Sequence, residues 1–182
     1  IECVDLLEES WEYQFVSSLL SMEAFPVIEN DGNYYCRPQT FVKRGEFVTW
    51  IMAMQYPEEI ENFDVDTIQS FPFSDVDENY IYTAQIFIAD EKGIIDGYDD
   101  GTFRPEDSIN RAELLKILLT EFRGFKDAGK KLDYLKSKYS EKNPQNVFQD
   151  ITREDDWFFP YLYYAVTKNI LEGRIYEDEF GK

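Results

Sequence analysis

Two short motifs place an arginine and a glutamate at the start of a predicted helix. They are Arg44-Gly45-Glu46 and Arg111-Ala112-Glu113, and five residues separate them from the pairs Arg37-Pro38 and Arg104-Pro105. A guanidinium group is a planar donor that matches a carboxylate. The first turn of a helix also favours anions, through its unpaired N–H groups and its dipole. Arg44 and Arg111 are therefore candidates for binding an anion, whereas Glu46 and Glu113 have the position of helix caps.

The residues around the second motif predict a helix, a loop and a second helix. Apolar residues recur at helical spacing over residues 80–92, and Gly93 follows as a stop. A loop with two glycines and a proline runs through residues 94–105. Asn110 and Glu113 then have the spacing of a capping box, which predicts that the second helix begins after Asn110.

The same order of signals indicates three copies of this unit, beginning near Cys3, Phe73 and Phe148. The predicted division of the chain is a divergent copy at 1–56, a linker at 57–72, the clearest copy at 73–123, a lysine-rich and partly helical insertion at 124–147, and a third copy at 148–182. The third copy is incomplete, because no Arg-x-Glu helix start follows its first helix, whose apolar face would be left uncovered. We expect either that the protein continues past Lys182 or that another element covers this face.

Composition excludes several classes of function. The chain carries 18 basic and 37 acidic residues, for a net charge of −19, so neither a nucleic acid nor an anionic membrane is expected as a partner. No apolar run approaches the ~20 residues that span a bilayer. Because histidine is absent, Ser-His-Asp and Cys-His catalysis and histidine-containing zinc sites are excluded.

The string FSDVDENYIYTAQIFIADEKGIIDGYDDGTFRPEDSINRAELLKILL resembles an S-layer homology motif. That motif has an Asp-containing start, an aromatic before the first helix, a Gly-Tyr-x-Asp-Gly-x-Phe-x-Pro loop and a Thr-Arg-Ala-Glu helix start. The second copy matches nearly every element, with Asn110 in place of threonine. The first copy departs from the pattern, with Val27-Ile28 replacing Gly-Tyr and Gly45 weakening the helix start.

The resemblance implies an all-α fold of tandem helix-loop-helix repeats, packed with pseudo-threefold symmetry and with one helix per repeat in a central bundle. It also implies a non-catalytic, extracellular module of the cell wall or S-layer. Grooves between repeats would bind a peptidoglycan-linked polysaccharide, often pyruvylated, and the helix-start arginine would meet the pyruvate carboxylate. Other envelope or S-layer proteins are further expected partners.

On this basis we predict glycan contacts at Arg111, Arg44, Trp11, Tyr80, Trp157, Gly97 and Arg104. The three aromatics would stack on the apolar C–H face of a sugar ring; the alternative is that they anchor the core. Arg104 alternatively bridges the loop to nearby carboxylates. Gly97 either serves the backbone conformation of the loop or lets a sugar approach closely.

The two cysteines fit the register of the copies. Cys3 takes the place of Phe73, and Cys36 takes the place of Phe103. If the two phenylalanines touch in the second copy, the cysteines should touch in the first. We therefore predict a Cys3–Cys36 disulfide, which suits an oxidising extracellular setting; the alternative is two buried free thiols.

Three alternative functions follow from the same residues. Asp96, Asp99 and Asp100 suggest a calcium-dependent interaction module, although their spacing does not fit an EF-hand; no other metal or cofactor is predicted. A glycosidase needs only two carboxylates, but among 37 acidic residues pairs arise by chance. The module could also assemble an envelope lattice without binding glycan.

Overall fold

The computed structural model of the chain describes residues 2–21, 25, 27–125, 127–146, 148, 150–151, 153 and 156–171. The protein is helix-rich, 48% helical, and the described part contains seven α-helices and one two-stranded sheet. The all-α expectation is therefore correct for the helices but wrong in omitting the sheet. Two compact units make up the chain, Ile1–Ile109 and Asn110–Lys182.

The first unit contains these elements in chain order: α1 (Tyr13–Ser21), β1 (Ile28–Asn30), β2 (Asn33–Tyr35), α2 (Arg44–Gln55), α3 (Pro57–Glu61), a 3-10 turn (Val65–Thr67) and α4 (Thr83–Glu91). The antiparallel hairpin β1–β2 turns at Asp31 and Gly32, whose φ angles are 49° and 76°. Two central residues with positive φ form the tight hairpin turn that Asp-Gly favours. The linker predicted at residues 57–72 contains two of these elements, α3 and the 3-10 turn.

Helix packing defines the core of the first unit. α2 packs against α4, and α3 packs against both. Four residues of α2 and α4 are fully buried: Val48, Met52, Ile86 and Ala89. The helix predicted at residues 80–92 begins three residues later, because residues 80–82 form a turn.

The first and second predicted copies hold their loops in the same way. In each, one aspartate near the start accepts two backbone N–H bonds of 2.7–2.8 Å: Asp5 from Cys36 and Arg37, and Asp75 from Phe103 and Arg104. The arginine of each pair has a left-handed backbone, with φ of 50° and 57°. The aspartates therefore fix matching turns in the two loops.

A disulfide joins Cys3 and Cys36, whose Cα atoms are 5.6 Å apart. At the matching place in the second copy, the rings of Phe73 and Phe103 lie 5.2 Å apart. A covalent link in one loop thus replaces an aromatic contact in the other, as the register predicts.

The second unit contains α5 (Arg111–Arg123), α6 (Ala128–Lys138), two 3-10 turns (Ser140–Lys142 and Pro144–Asn146) and α7 (Phe159–Thr167). Both α5 and α6 pack against α7. Their core is rich in aromatic and leucine side chains: Leu115, Leu119, Phe125, Leu135, Phe159, Tyr161, Tyr163 and Ala165. The helix predicted within the lysine-rich insertion is α6.

The boundary between the compact units falls inside the second predicted copy, after Ile109. The boundary falls there because the two helices of this copy pack against different partners. The first helix of that copy, α4, packs against α2, whereas its second helix, α5, packs against α7. Each unit therefore joins the second helix of one predicted copy to the first helix of the next. Within the described ranges, no helix is long and apolar enough to cross a membrane.

Candidate functional site

The start of α2 meets the loop of residues 94–107, and we call this region the loop–helix junction. The N–H of Arg44 donates to the carbonyl of Asp107, and the N–H of Gly45 donates to that of Pro105, both at 2.8 Å. Two helix-start donors that usually need a side-chain cap are thereby satisfied by backbone. The absence of a capping asparagine or threonine in the first copy is compensated in this way.

The capping glutamates of α2 and α5 differ in their partners. Glu46 accepts the backbone N–H of Lys43 at 3.1 Å and lies 3.8 Å from the guanidinium of Arg37. At α5, Asn110 and Glu113 form both halves of a capping box, with bonds of 3.0 and 3.1 Å. Arg111, the first residue of α5, is exposed, and its side chain has no hydrogen bond or ion pair to the described residues.

The side chain of Arg44 points into the junction and is only 7% exposed. Its Nε donates to the carbonyl of Phe103 at 3.1 Å, and its Nη2 donates to that of Asp96 at 2.8 Å. The guanidinium also lies over two rings, 4.6 Å from the centroid of Phe103 and 5.3 Å from that of Tyr98. Arg44 thus fastens the loop to α2.

Gly45 is required by close packing at the same place. A Cβ at this position would lie 3.0 Å from the Cβ of Pro105 and 3.2 Å from the hydroxyl of Tyr80. The residue that weakens the helix start in the sequence therefore lets the second copy's loop approach α2. Gly97 has a comparable role, because a Cβ there would lie 2.5 Å from the ring of Phe73 and 2.9 Å from the carbonyl of Thr102. The Phe73 ring and the loop carbonyl of Thr102 together fill the space beside Gly97.

A polar cluster lies at the edge of the junction. The hydroxyl of Tyr80 donates to Glu106 at 2.6 Å, and Lys43 forms an ion pair with the same carboxylate at 2.5 Å. Burial, followed by the hydrogen bond to Glu106, raises the pKa of Tyr80. The bonds from Lys43 and Tyr80 lower the pKa of Glu106. The cluster therefore holds a neutral hydroxyl, a carboxylate and an ammonium group at neutral pH.

Arg104 presents a second cation beside this cluster. Its guanidinium lies 4.0 Å from the centroid of the Tyr98 ring and 2.7 Å from a carboxylate oxygen of Asp100. The side chain is 43% exposed. Hydrogen bonds from Thr102 and then from Arg104 lower the pKa of Asp100 to about 2. A partly exposed cation stacked on an aromatic ring is a surface suited to an acidic sugar.

The structure corrects the register of the three predicted aromatic contacts. The carbonyls of Ser10, Tyr80 and Asp156 each accept the N–H of the first residue in the following helix. Trp11, Ile81 and Trp157 are therefore equivalent, and Tyr80 lies one residue earlier. The predicted helix start at residue 80 hides this one-residue offset, because residues 80–82 form a turn that precedes α4.

The two tryptophans are at the surface. Trp11 is 79% exposed and makes an edge contact with Phe15, at a centroid distance of 6.3 Å. Trp157 is also exposed, and the ammonium of Lys116 lies 5.6 Å from its centroid. The alternative that they anchor the core is therefore wrong. Only Tyr80, Arg44, Arg104 and Gly97 of the predicted contacts lie together at the junction.

Three residues of the junction were not among the predicted contacts: Lys43, Tyr98 and Glu106. Tyr98 belongs to the Gly-Tyr pair of the loop, which is a signal the sequence offered. Lys43 and Glu106 are 63 residues apart, and no local pattern connects them. In the described part of the chain, no group of three or more Cys, Asp or Glu residues could hold a metal ion.

Comparison with known families identifies part of the chain. The model of the S-layer homology domain matches residues 72–115, which include the loop of the junction and the start of α5. This part of the chain, residues 72–115, therefore matches the S-layer homology domain family. Domains of this family are non-catalytic anchoring modules that bind cell-wall polymers and associate proteins with the cell surface. No curated protein matches the chain.

Proposed function

We propose that the chain is a non-catalytic module that holds a protein on the bacterial cell wall by binding a peptidoglycan-linked polysaccharide. The observation that carries the proposal is the family match at residues 72–115. Its loop places Arg104 against the ring of Tyr98 with part of the guanidinium exposed. The module would act outside the cell, in the wall or S-layer.

The junction offers complementary groups for a pyruvylated sugar. Arg104 and Lys43 supply positive charge for a carboxylate, and Tyr80 and Tyr98 supply aromatic rings for the apolar face of the sugar. Arg44 acts through the loop, because its guanidinium donates to two loop carbonyls. Arg111 is the corresponding exposed cation at the start of α5 and would serve a separate contact.

Sedimentation with cell-wall sacculi tests this proposal. Wild type should sediment with intact sacculi, remain in solution after the attached polymer is chemically stripped, and bind more weakly as salt rises. Arg104→Ala should weaken binding by about tenfold if one charge-assisted contact is lost. Arg123→Ala, which removes an exposed arginine from the last turn of α5, is the matched control. Equal sedimentation with stripped sacculi, or none with intact sacculi, would exclude polymer anchoring.

We also propose that the predicted copies are tandem repeats in a pseudo-threefold arrangement, with one helix from each at the centre. Support comes from the face of α1 that carries Phe15 and Leu19, which are both exposed. The equivalent face of α7 carries Tyr161 and Ala165, which share a core with α5. Phe15 is 56% exposed, whereas Tyr161 is 7% exposed. The second helix of another repeat would cover α1 in the same manner.

A peptide spanning residues 110–125 tests this arrangement, because it contains the helix that covers α7. We would add it to a variant that keeps Trp11 as its only tryptophan. Saturable binding should shift the Trp11 emission to shorter wavelength, and Leu19→Glu should abolish the shift. An unchanged spectrum at millimolar peptide would contradict the proposed cover of α1.

A further inference from the structure

The strongest concentration of positive charge lies outside the family match. Residues 126–145 contain six of the 18 basic residues and only three of the 37 acidic residues. Within this region and at the end of α7, six side chains form what we call the lysine–tyrosine patch: Lys131, Tyr134, Lys138, Tyr139, Tyr164 and Lys168. The patch is a local reversal of the sign of a chain whose net charge is −19.

Lysines and tyrosines alternate closely in the patch. Lys138 donates to the hydroxyl of Tyr134 at 3.0 Å, and its ammonium lies 5.4 Å from the centroid of Tyr139. Lys168, from the end of α7, lies 5.6 Å from the same centroid and 5.9 Å from that of Tyr164. Two ammonium groups from different elements therefore flank one ring, and Tyr134 is exposed beside them.

Among the described residues, no carboxylate pairs with a lysine of the patch. Over the ranges that the structure describes, Lys131, Lys138 and Lys168 form no ion pair, whereas Lys130 on the same helix pairs with Asp127 at 2.9 Å. The hydrogen bond from Lys138 and then the charges of Lys138, Lys168 and Lys131 lower the pKa of the Tyr134 phenol. The positive field of three lysines thus converges on one exposed ring.

We propose that the lysine–tyrosine patch binds an anionic cell-wall polymer, whose acid groups are uronates or phosphodiesters, at a site separate from the loop–helix junction. Two ammonium groups around one ring can meet successive acid groups of a chain, and the tyrosine rings offer apolar faces to the units between them. A nucleic acid is disfavoured, because such ligands select long basic stripes and the rest of this chain is strongly acidic. The proposal depends on the proposed function only for the cell-wall setting.

The test measures binding of soluble polymers without cell walls, in an Arg104→Ala background that weakens the junction. The probes are polygalacturonate for uronates, poly(glycerol phosphate) for phosphodiesters, dextran as a neutral polymer and an oligo-dT strand. The variant is Lys138→Gln with Lys168→Gln. The matched control is Lys130→Gln with Lys92→Gln, which removes the same charge from lysines paired with Asp127 and Glu59. Urea unfolding of each variant verifies the fold.

We expect at least one anionic polymer to bind and dextran not to bind. The patch variant should bind about tenfold more weakly and with a smaller salt dependence, because about two fewer counterions are displaced. The control should change affinity by less than about twofold. Preference for one anionic polymer then identifies the acid group. Equal affinity of the patch variant, equal binding of dextran, or tighter binding of oligo-dT than of both anionic polymers would overturn the proposal. Failure to sediment with sacculi, together with polymer binding here, would refute the proposed wall anchoring and leave the patch proposal standing.

Discussion

Removal of the Arg44 guanidinium should release the loop of residues 94–107 from α2. The bond to the carbonyl of Phe103 is buried, and the bond to that of Asp96 is partly buried. A hydrogen bond from a charged donor contributes about 1.5–3 kcal/mol when buried and less when water can replace it. The contacts with two aromatic rings add about 1 kcal/mol. Arg44→Ala should therefore lower the free energy of unfolding by about 3–4 kcal/mol.

Such a loss is a large part of the ~5–15 kcal/mol that stabilises a typical domain. Urea unfolding, followed by tryptophan fluorescence and far-UV circular dichroism, measures it. Arg44→Lys should lie between wild type and alanine, because one ammonium group cannot reproduce the two-carbonyl contact.

Arg104→Ala is the matched control for this prediction, since Arg104 lies over the same Tyr98 ring but is partly exposed. Its ion pair with Asp100 is exposed to solvent and should contribute little to stability. If Arg44→Ala shifted the urea midpoint no more than Arg104→Ala, the interpretation of Arg44 as the residue that fastens the loop would be wrong.

The disulfide joins residues 33 positions apart, so its reduction should lower the free energy of unfolding by about 2–4 kcal/mol. Reductant should therefore lower the urea midpoint of wild type but not that of the double variant Cys3→Ser, Cys36→Ser. Gly97→Ala should destabilise by about 1–3 kcal/mol because its Cβ meets a ring and a carbonyl. By contrast, Gly129→Ala, in the open first turn of α6, should stabilise the protein by about 0.5–1 kcal/mol. If thermal unfolding showed that both substitutions shift the stability in the same direction, the close packing around Gly97 would be contradicted. The pKa of Asp100 is lowered to about 2 in the folded protein, so its stabilisation is complete above the unfolded pKa near 4 and is lost as pH falls towards 2. Asp100→Asn should reduce that acid sensitivity in a urea series, and an unchanged pH profile would count against the bonds assigned to Asp100.

Local signals predicted the parts of the fold that local chemistry determines. Asn110 and Glu113 have capping-box spacing, and the structure contains that box. Gly93 ends α4 with a positive φ of 66°, a conformation that glycine adopts readily. The pairing of Cys3 with Cys36 followed from aligning two copies, because equivalent loops place equivalent residues together.

Features that depend on distant partners could not be predicted in this way. The start of α2 has no capping side chain, and its N–H groups find carbonyls some 60 residues away, at Pro105 and Asp107. The packing of this loop against α2 also explains why Arg44 is buried, because its guanidinium donates to the loop carbonyls of Phe103 and Asp96. The hairpin was missed because its strands are three residues long and carry no clear alternation, although Asp31-Gly32 is a recognised turn signal.

Calorimetric titration with purified wall polymer tests the central claim most directly. The polymer would be released from sacculi in two forms, one with its pyruvate retained and one with the ketal removed by mild acid. The account predicts saturable binding of the pyruvylated polymer to wild type, about tenfold weaker binding to Arg104→Ala, and loss of affinity when the ketal is removed. Absence of measurable binding by folded wild type to either form would contradict anchoring through the polysaccharide.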